Sequence, residues 1–264
     1  MFSWFRNRRR RNIVRGPFPS WWEPILRRNI AHAACLSAEQ NLTLRNITRI
    51  LVAEKKWEAA RGFVITEEVK VTIAAQAALL IVGMDDHDYF GRVQSVVVYP
   101  DAFRMPNEED GWEEDDIGSD NITGQAVYRG PVILAWDDVR KEGRDPSCGQ
   151  NLVLHEFAHQ LDFLDNAIDG TPPLKSRDQS QRWQTVMTAA FVEHKRQIAA
   201  NEETFFTEHA ADDEAEFFAD ATEAFYCAPH GLHDDFPDIY ALLAEYYNLD
   251  PASWSPVRNE DSRS

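Results

Sequence analysis

The sequence has little cysteine, no long apolar run and a deficit of positive charge. Its three cysteines, Cys35, Cys148 and Cys227, form no close pair. An odd, scattered set cannot make a disulfide framework, so a small secreted scaffold is excluded and reduced thiols in the cytoplasm are expected. The longest largely apolar stretch, Val71 to Met84, is interrupted by Gln76. It is shorter than the roughly 20 apolar residues that a bilayer-spanning helix needs, and reads instead as a buried helix. No apolar segment follows Arg8 to Arg11 before Pro17 and Pro19, so no secretory signal is expected. Glycine-rich phosphate loops, CxxC elements and internal repeats are absent, as is the composition of a collagenous or disordered chain.

Lys and Arg number 27 against 44 Asp and Glu, a formal charge of -17 over 264 residues. That field repels a phosphate backbone, so direct nucleic-acid binding is not expected. The deficit is uneven. Residues 1–28 hold eight arginines and one glutamate, a net +7, which leaves -24 for the remainder. Residues 1–19 read as a basic, poorly ordered arm, solvated and charge-balancing, with anionic lipid or an acidic partner as the alternative contact.

What is present suffices for a core. At this length roughly three quarters of the unfolded surface can be buried, so a metal is not needed as a structural staple and any metal is expected to be functional. Helices are expected from Trp21 to Arg28, from Ser37 (a cap before Glu39 and Gln40) to Trp57, and from Thr66 towards Gly83, which helps to end the last of these. Short apolar runs at Val93–Tyr99 and Pro131–Trp136 read as strands, with a third around Gln125–Tyr128. The carboxylate-rich stretch between them reads as a solvated loop. From Cys148 onward the periodicity is helical, over 152–161, 180–201, 215–226 and 236–247. The architecture expected is α+β, mostly helical with a small mixed sheet. A single unit over 20–250 is divided into a helical N-terminal layer (about 20–90) and a catalytic core (about 91–250), followed by a polar tail over 251–264.

The chemistry lies in NLVLHEFAHQLDFLD, residues 151–165. His155 and His159 are four apart on the expected helix, so both imidazoles project from one face and can meet one ion. Glu156 stands beside the first histidine, where a carboxylate can take a proton from attacking water and return it to a departing amine. This HExxH arrangement points to metal-assisted peptide hydrolysis. A catalytic zinc takes a third protein ligand, and two sources compete. Asp165 lies ten residues after His155, but Asp162 occupies the place where a glycine would assist the turn back to the ion. The second source is the helix DDEAEFFADATEAFY, where Glu216, Asp220 and Glu223 share a face; one carboxylate can bind metal while another fixes a ligand histidine's tautomer.

NLVLHEFAHQLD and EAEFFADATEAFYCAP, with VVVYPDAF, EDDIG and GPVILAWDDV before them, resemble the Mlc titration factor A (MtfA-like) zinc metallopeptidases. The catalytic part of that family is similar to the anthrax lethal factor protease domain, a zincin-like fold. The resemblance spans nearly all of residues 20–250. It implies one catalytic Zn2+ held by His155, His159 and Glu216, with Glu156 as general base and Glu223 bracing a ligand. Asp220 falls where the lethal factor pattern has another glutamate. It further implies aminopeptidase-like action on peptides and binding to a transcriptional repressor of the Mlc type. Where the family often has a tyrosine seven residues before the metal glutamate, this chain has His209, which can donate to the oxyanion only with a proton on the facing nitrogen. Tyr226, Tyr240 and Tyr246 are the other candidate donors, and His194, His230 and His233 read as packing or surface residues. Two further readings remain: a regulator-binding titration protein with little or no catalysis, and a structural protein whose HExxH is accidental.

Overall fold

Where the sequence suggests a poorly ordered arm over Trp4 to Pro19, the chain forms a helix, α1 (Phe2–Val14). The computed structural model describes residues 2–85, 87–101 and 130–254. The acidic loop, the strand expected around 125–128 and the tail from 255 onward lie outside the described residues. No apolar stripe announces α1 because its packing face is built on an arginine. Arg10, only 6% exposed, makes a two-pronged pair with Glu54 at 2.7–3.1 Å and donates to the Asp88 carbonyl at 3.1 Å. Sequence periodicity scores arginine as a surface residue, and only a buried partner reverses that reading.

Helices α2 (Glu23–Asn29), α3 (Ala38–Glu54) and α4 (Glu67–Ile81) follow. The cap expected at Ser37 is present, with Gln40 N–H donating to Ser37 Oγ at 3.1 Å and Ser37 N–H to Gln40 Oε1 at 2.9 Å. Thr66 caps α4 through Val69 N–H. Every residue of α4 from Val71 to Ile81 is buried, as befits a helix apolar on all sides. Its two buried polar residues are both satisfied: Thr72 Oγ1 accepts from Asn29 Nδ2 at 2.9 Å, and Gln76 donates to the Val139 carbonyl at 2.9 Å and accepts from Asn151 Nδ2 at 2.8 Å. Gly83 plays a different part from the one expected: its φ is not positive, and a Cβ there would collide with the Tyr247 and Asn248 carbonyls. It is a point of close approach rather than a left-handed cap.

Among the described residues the sheet has three strands, β1 (Lys56–Ala59), β2 (Ser95–Tyr99) and β3 (Val132–Ala135), in that order and all parallel. The mixed sheet is therefore corrected to a parallel one over these strands, with α4 in the crossover from β1 to β2. The helix expected to run from Ser37 to Trp57 ends at Glu54, and Lys56–Ala59, which carries no apolar run to mark it as a strand, instead pairs its backbone with β2, whose Val96 and Val98 are buried. Beyond β3 come α5 (Trp136–Arg144), α6 (Leu152–Asp162), α7 (Arg177–Ala199), α8 (Glu214–Cys227), α9 (Pro229–Asp235) and α10 (Pro237–Tyr247). Helix α6 packs against α4 on one side and α8 on the other. The molecule is α+β and mostly helical, and the α6–α8 seam carries the chemical groups. No described helix is long and apolar enough to cross a membrane.

Candidate active site

Asn151 caps α6 through Leu154 N–H at 2.9 Å, and Leu154, Phe157, Ala158 and Leu161 bury the helix in the core. That leaves His155 and His159 facing α8. Asp213 caps α8, its Oδ1 accepting from Ala215 N–H and Glu216 N–H at 2.9 Å each. Glu216 thus sits in the first turn, where the helix dipole favours a carboxylate.

The three groups converge. His155 Nε2 lies 3.1 Å from Glu216 Oε2, His159 Nε2 lies 3.4 Å from Glu216 Oε1, and the two imidazole Nε2 atoms are 3.2 Å apart. Ligands about 2.0–2.1 Å from a tetrahedral zinc stand about 3.3 Å from one another, so the donor spacing fits such an ion. Two imidazoles and a carboxylate also match the ligand chemistry zinc accepts. Burial works to raise the Glu216 pKa, but hydrogen bonds to His155 and His159 hold it well below the usual carboxylate range. Burial likewise opposes a charged His155, yet its bonds to Glu216 and Glu223 outweigh this and push its pKa well up. The cluster is built to hold positive charge.

Glu223 braces it. One oxygen meets His155 Nδ1 at 2.7 Å while the other accepts from Asn151 N–H, so a single carboxylate orients the imidazole and ties down the start of α6. Glu156, half-buried one residue after His155, has its pKa raised by burial, with His155 and His159 opposing and Glu216 and Glu223 adding to the rise. A base shifted upward in this way is better matched to neutral pH than an ordinary glutamate.

His209 lies in a short 3-10 turn (His209–Ala211), 62% exposed, its ring stacked at 6.3 Å on that of His155. Nδ1 meets Asp212 Oδ2 at 2.6 Å and Nε2 meets Glu216 Oε2 at 3.2 Å. His155, His209 and Glu216 each present one ligand atom within 4.8 Å of the others. With Nδ1–H given to Asp212, His209 Nε2 accepts from the neutral ring and donates only from the doubly protonated one. Thr207 anchors this loop: its N–H donates to Asp220 Oδ2 at 2.9 Å and its carbonyl accepts from His194 at 2.9 Å. Asp220 and His194 therefore position the His209 loop.

Other candidates lie elsewhere. Asp165 is exposed and accepts from Ala167 N–H at 2.9 Å. Asp162 is buried, accepts from Gly170 N–H at 3.0 Å, and has its pKa raised to about 6 by that burial. Tyr226 donates to the Leu79 carbonyl and Tyr240 to Asp250, while Tyr246 packs on Trp183 and Tyr247. Glu142 went unread in the sequence. It accepts from Leu152 N–H at 2.7 Å at the start of α6, and burial lifts its pKa to about 7. Nothing in its local sequence marks it, since Asn151 already supplies the cap of that helix.

Residues 4–248 match the family described as glucose-regulated metallo-peptidase M90. The chain is 33% identical over 248 residues to an uncharacterised Synechocystis protein, covering 92% of this chain and 89% of that one. It is 31% identical to the Mlc titration factor A of Edwardsiella ictaluri (83% of this chain, 84% of the relative). For the protein of that name from Yersinia enterocolitica the identity is 29% (87% and 85%). A match over nearly the whole length, on a chain whose two-histidine helix faces a carboxylate, makes the assignment: the chain belongs to the M90 family of glucose-regulated metallo-peptidases, with relatives named Mlc titration factor A.

Proposed function

We propose that this protein is a zinc-dependent peptidase of the cytoplasm, zincin-like in fold and aminopeptidase-like in action. His155, His159 and Glu216 are its metal ligands and Glu156 its general base. The observation that carries this is the convergence of the two Nε2 atoms and the Glu216 carboxylate at 3.1–3.4 Å, the spacing of ligands around one small ion. A divalent ion held there supplies Lewis acidity to the scissile carbonyl and to water. Glu156 accepts the proton of the attacking water on its carboxylate and returns it to the departing amine. Glu223 keeps the Nδ1 proton of His155 in place, so that Nε2 presents its lone pair. His209 offers Nε2–H to the developing oxyanion when that nitrogen is protonated.

The test is metal analysis of the purified protein beside a peptide-library cleavage assay with free and N-acetylated termini. One zinc per chain and preferential cleavage of free amino termini are expected. Glu156→Gln should keep the zinc and lose about 10²–10⁴-fold in cleavage rate. A Glu156→Gln variant that cleaves as fast as the parent rejects the mechanism. The relatives' name supports a second role, binding to a transcriptional repressor. That binding should persist in Glu156→Gln, which separates titration from hydrolysis.

A further inference from the structure

Helix α1 has a second face that the peptidase chemistry does not use. We propose that it is an interfacial helix that seats the protein on an anionic lipid surface. Its inner side is committed to the body of the protein: Arg10 pairs with Glu54 and lies over the Tyr89 ring at 4.2 Å, Arg9 reaches the Ala53 carbonyl at 3.3 Å, and Arg49 donates to the Ile13 carbonyl. On a 3.6-residue helix the face opposite Arg10 carries Trp4, Phe5, Arg8 and Asn12, flanked by Arg9 and Arg11. Trp4 and Phe5 are 53% and 57% exposed, packed edge to face at 5.0 Å, with the Arg8 guanidinium 5.6 Å from the Trp4 ring.

Two large aromatic rings turned away from the core amid arginines have the composition of a helix lying at headgroup depth, rings in the acyl boundary and guanidiniums on phosphates. No acidic residue precedes Glu23, so nothing on α1 neutralises these arginines. The remainder of the chain is strongly acidic and turns from an anionic surface, which leaves α1 as the approach. A polyanion without an apolar layer would satisfy the arginines but not Trp4 and Phe5. A bilayer satisfies both.

Co-sedimentation of the full chain with phosphatidylcholine vesicles, with and without one-third phosphatidylglycerol, tests this. Binding to the anionic vesicles alone is expected, weakening as salt rises. Each arginine near such a surface is worth about five-fold in partitioning, so Arg8→Glu/Arg11→Glu should bind at least about 25-fold more weakly. Trp4→Ala/Phe5→Ala should also weaken binding. Neither pair touches the Arg10 anchor, and an unchanged thermal midpoint and peptidase rate will show that the fold is intact. Absence of binding to anionic vesicles, equal binding to neutral ones, retention by either double variant, or capture by polyglutamate instead of vesicles would each overturn the proposal.

Discussion

At the scale of single residues, Glu223 and His209 separate bracing from chemistry. Glu223 touches His155 through Nδ1 and holds Asn151 N–H with its other oxygen. Glu223→Gln keeps the volume but removes the charge that fixes the ring. We expect zinc affinity to fall about 10–100-fold, measured by competition with a chromogenic chelator. His209 contacts Glu216 from an exposed turn. His209→Phe should lower kcat by about 10²-fold with KM little altered, and His209→Tyr should restore much of it, because a phenol can donate where a phenyl ring cannot. Equal kcat in His209→Phe and the parent would remove His209 from the mechanism. The two histidines and Glu156 were legible in the sequence because four-residue spacing on a helix fixes a common face. Glu142 was not, since its role depends on the Leu152 amide ten residues away meeting its carboxylate.

At the scale of elements, the site is a seam between two capped helices. Asp213 holds the first turn of α8 through two N–H groups, and Glu216 is one of the two residues it caps. Asp213→Ala should cost about 1 kcal/mol of stability by urea unfolding, together with a loss of zinc affinity, because Glu216, the proposed ligand, lies on the turn that frays. Helices with an apolar stripe or a capping signal were readable in advance: α3 from Ser37 and Gln40, α4 from Thr66, α6 and α8 from their own periodicity. The misses share a cause. In β1, α1 and α5 the local sequence is polar or charged, and each element is stabilised by partners distant in sequence: β2 for Lys56–Ala59, Glu54 for Arg10, and Asn29 for Arg144.

At the scale of the whole molecule, buried carboxylates at the α6 end link stability to pH. Burial raises the Glu142 pKa to about 7, well above the ordinary carboxylate range. For an acid with a raised folded pKa, stability is fully present below the unfolded pKa and is lost as pH rises through the folded one. Glu142→Gln should therefore become more stable relative to the parent as pH climbs from about 5 to about 8, by up to roughly 3 kcal/mol. Urea midpoints of the two proteins across that range check it; a pH-independent difference would mean that Glu142 does not ionise within the window.

The sequence by itself determined the two-histidine face, the adjacent base, the acidic helix from which a third ligand could come and the helical character of the second half, because each is written in spacing within one element. Tertiary structure decided what spacing cannot: that Glu216 meets both imidazoles while Glu223 backs one of them, that Asp165 turns into its own loop, and that Arg10 is a core residue. Those outcomes depend on how α6 and α8, or α1 and α3, are brought together, and on which charges find a partner once water is excluded.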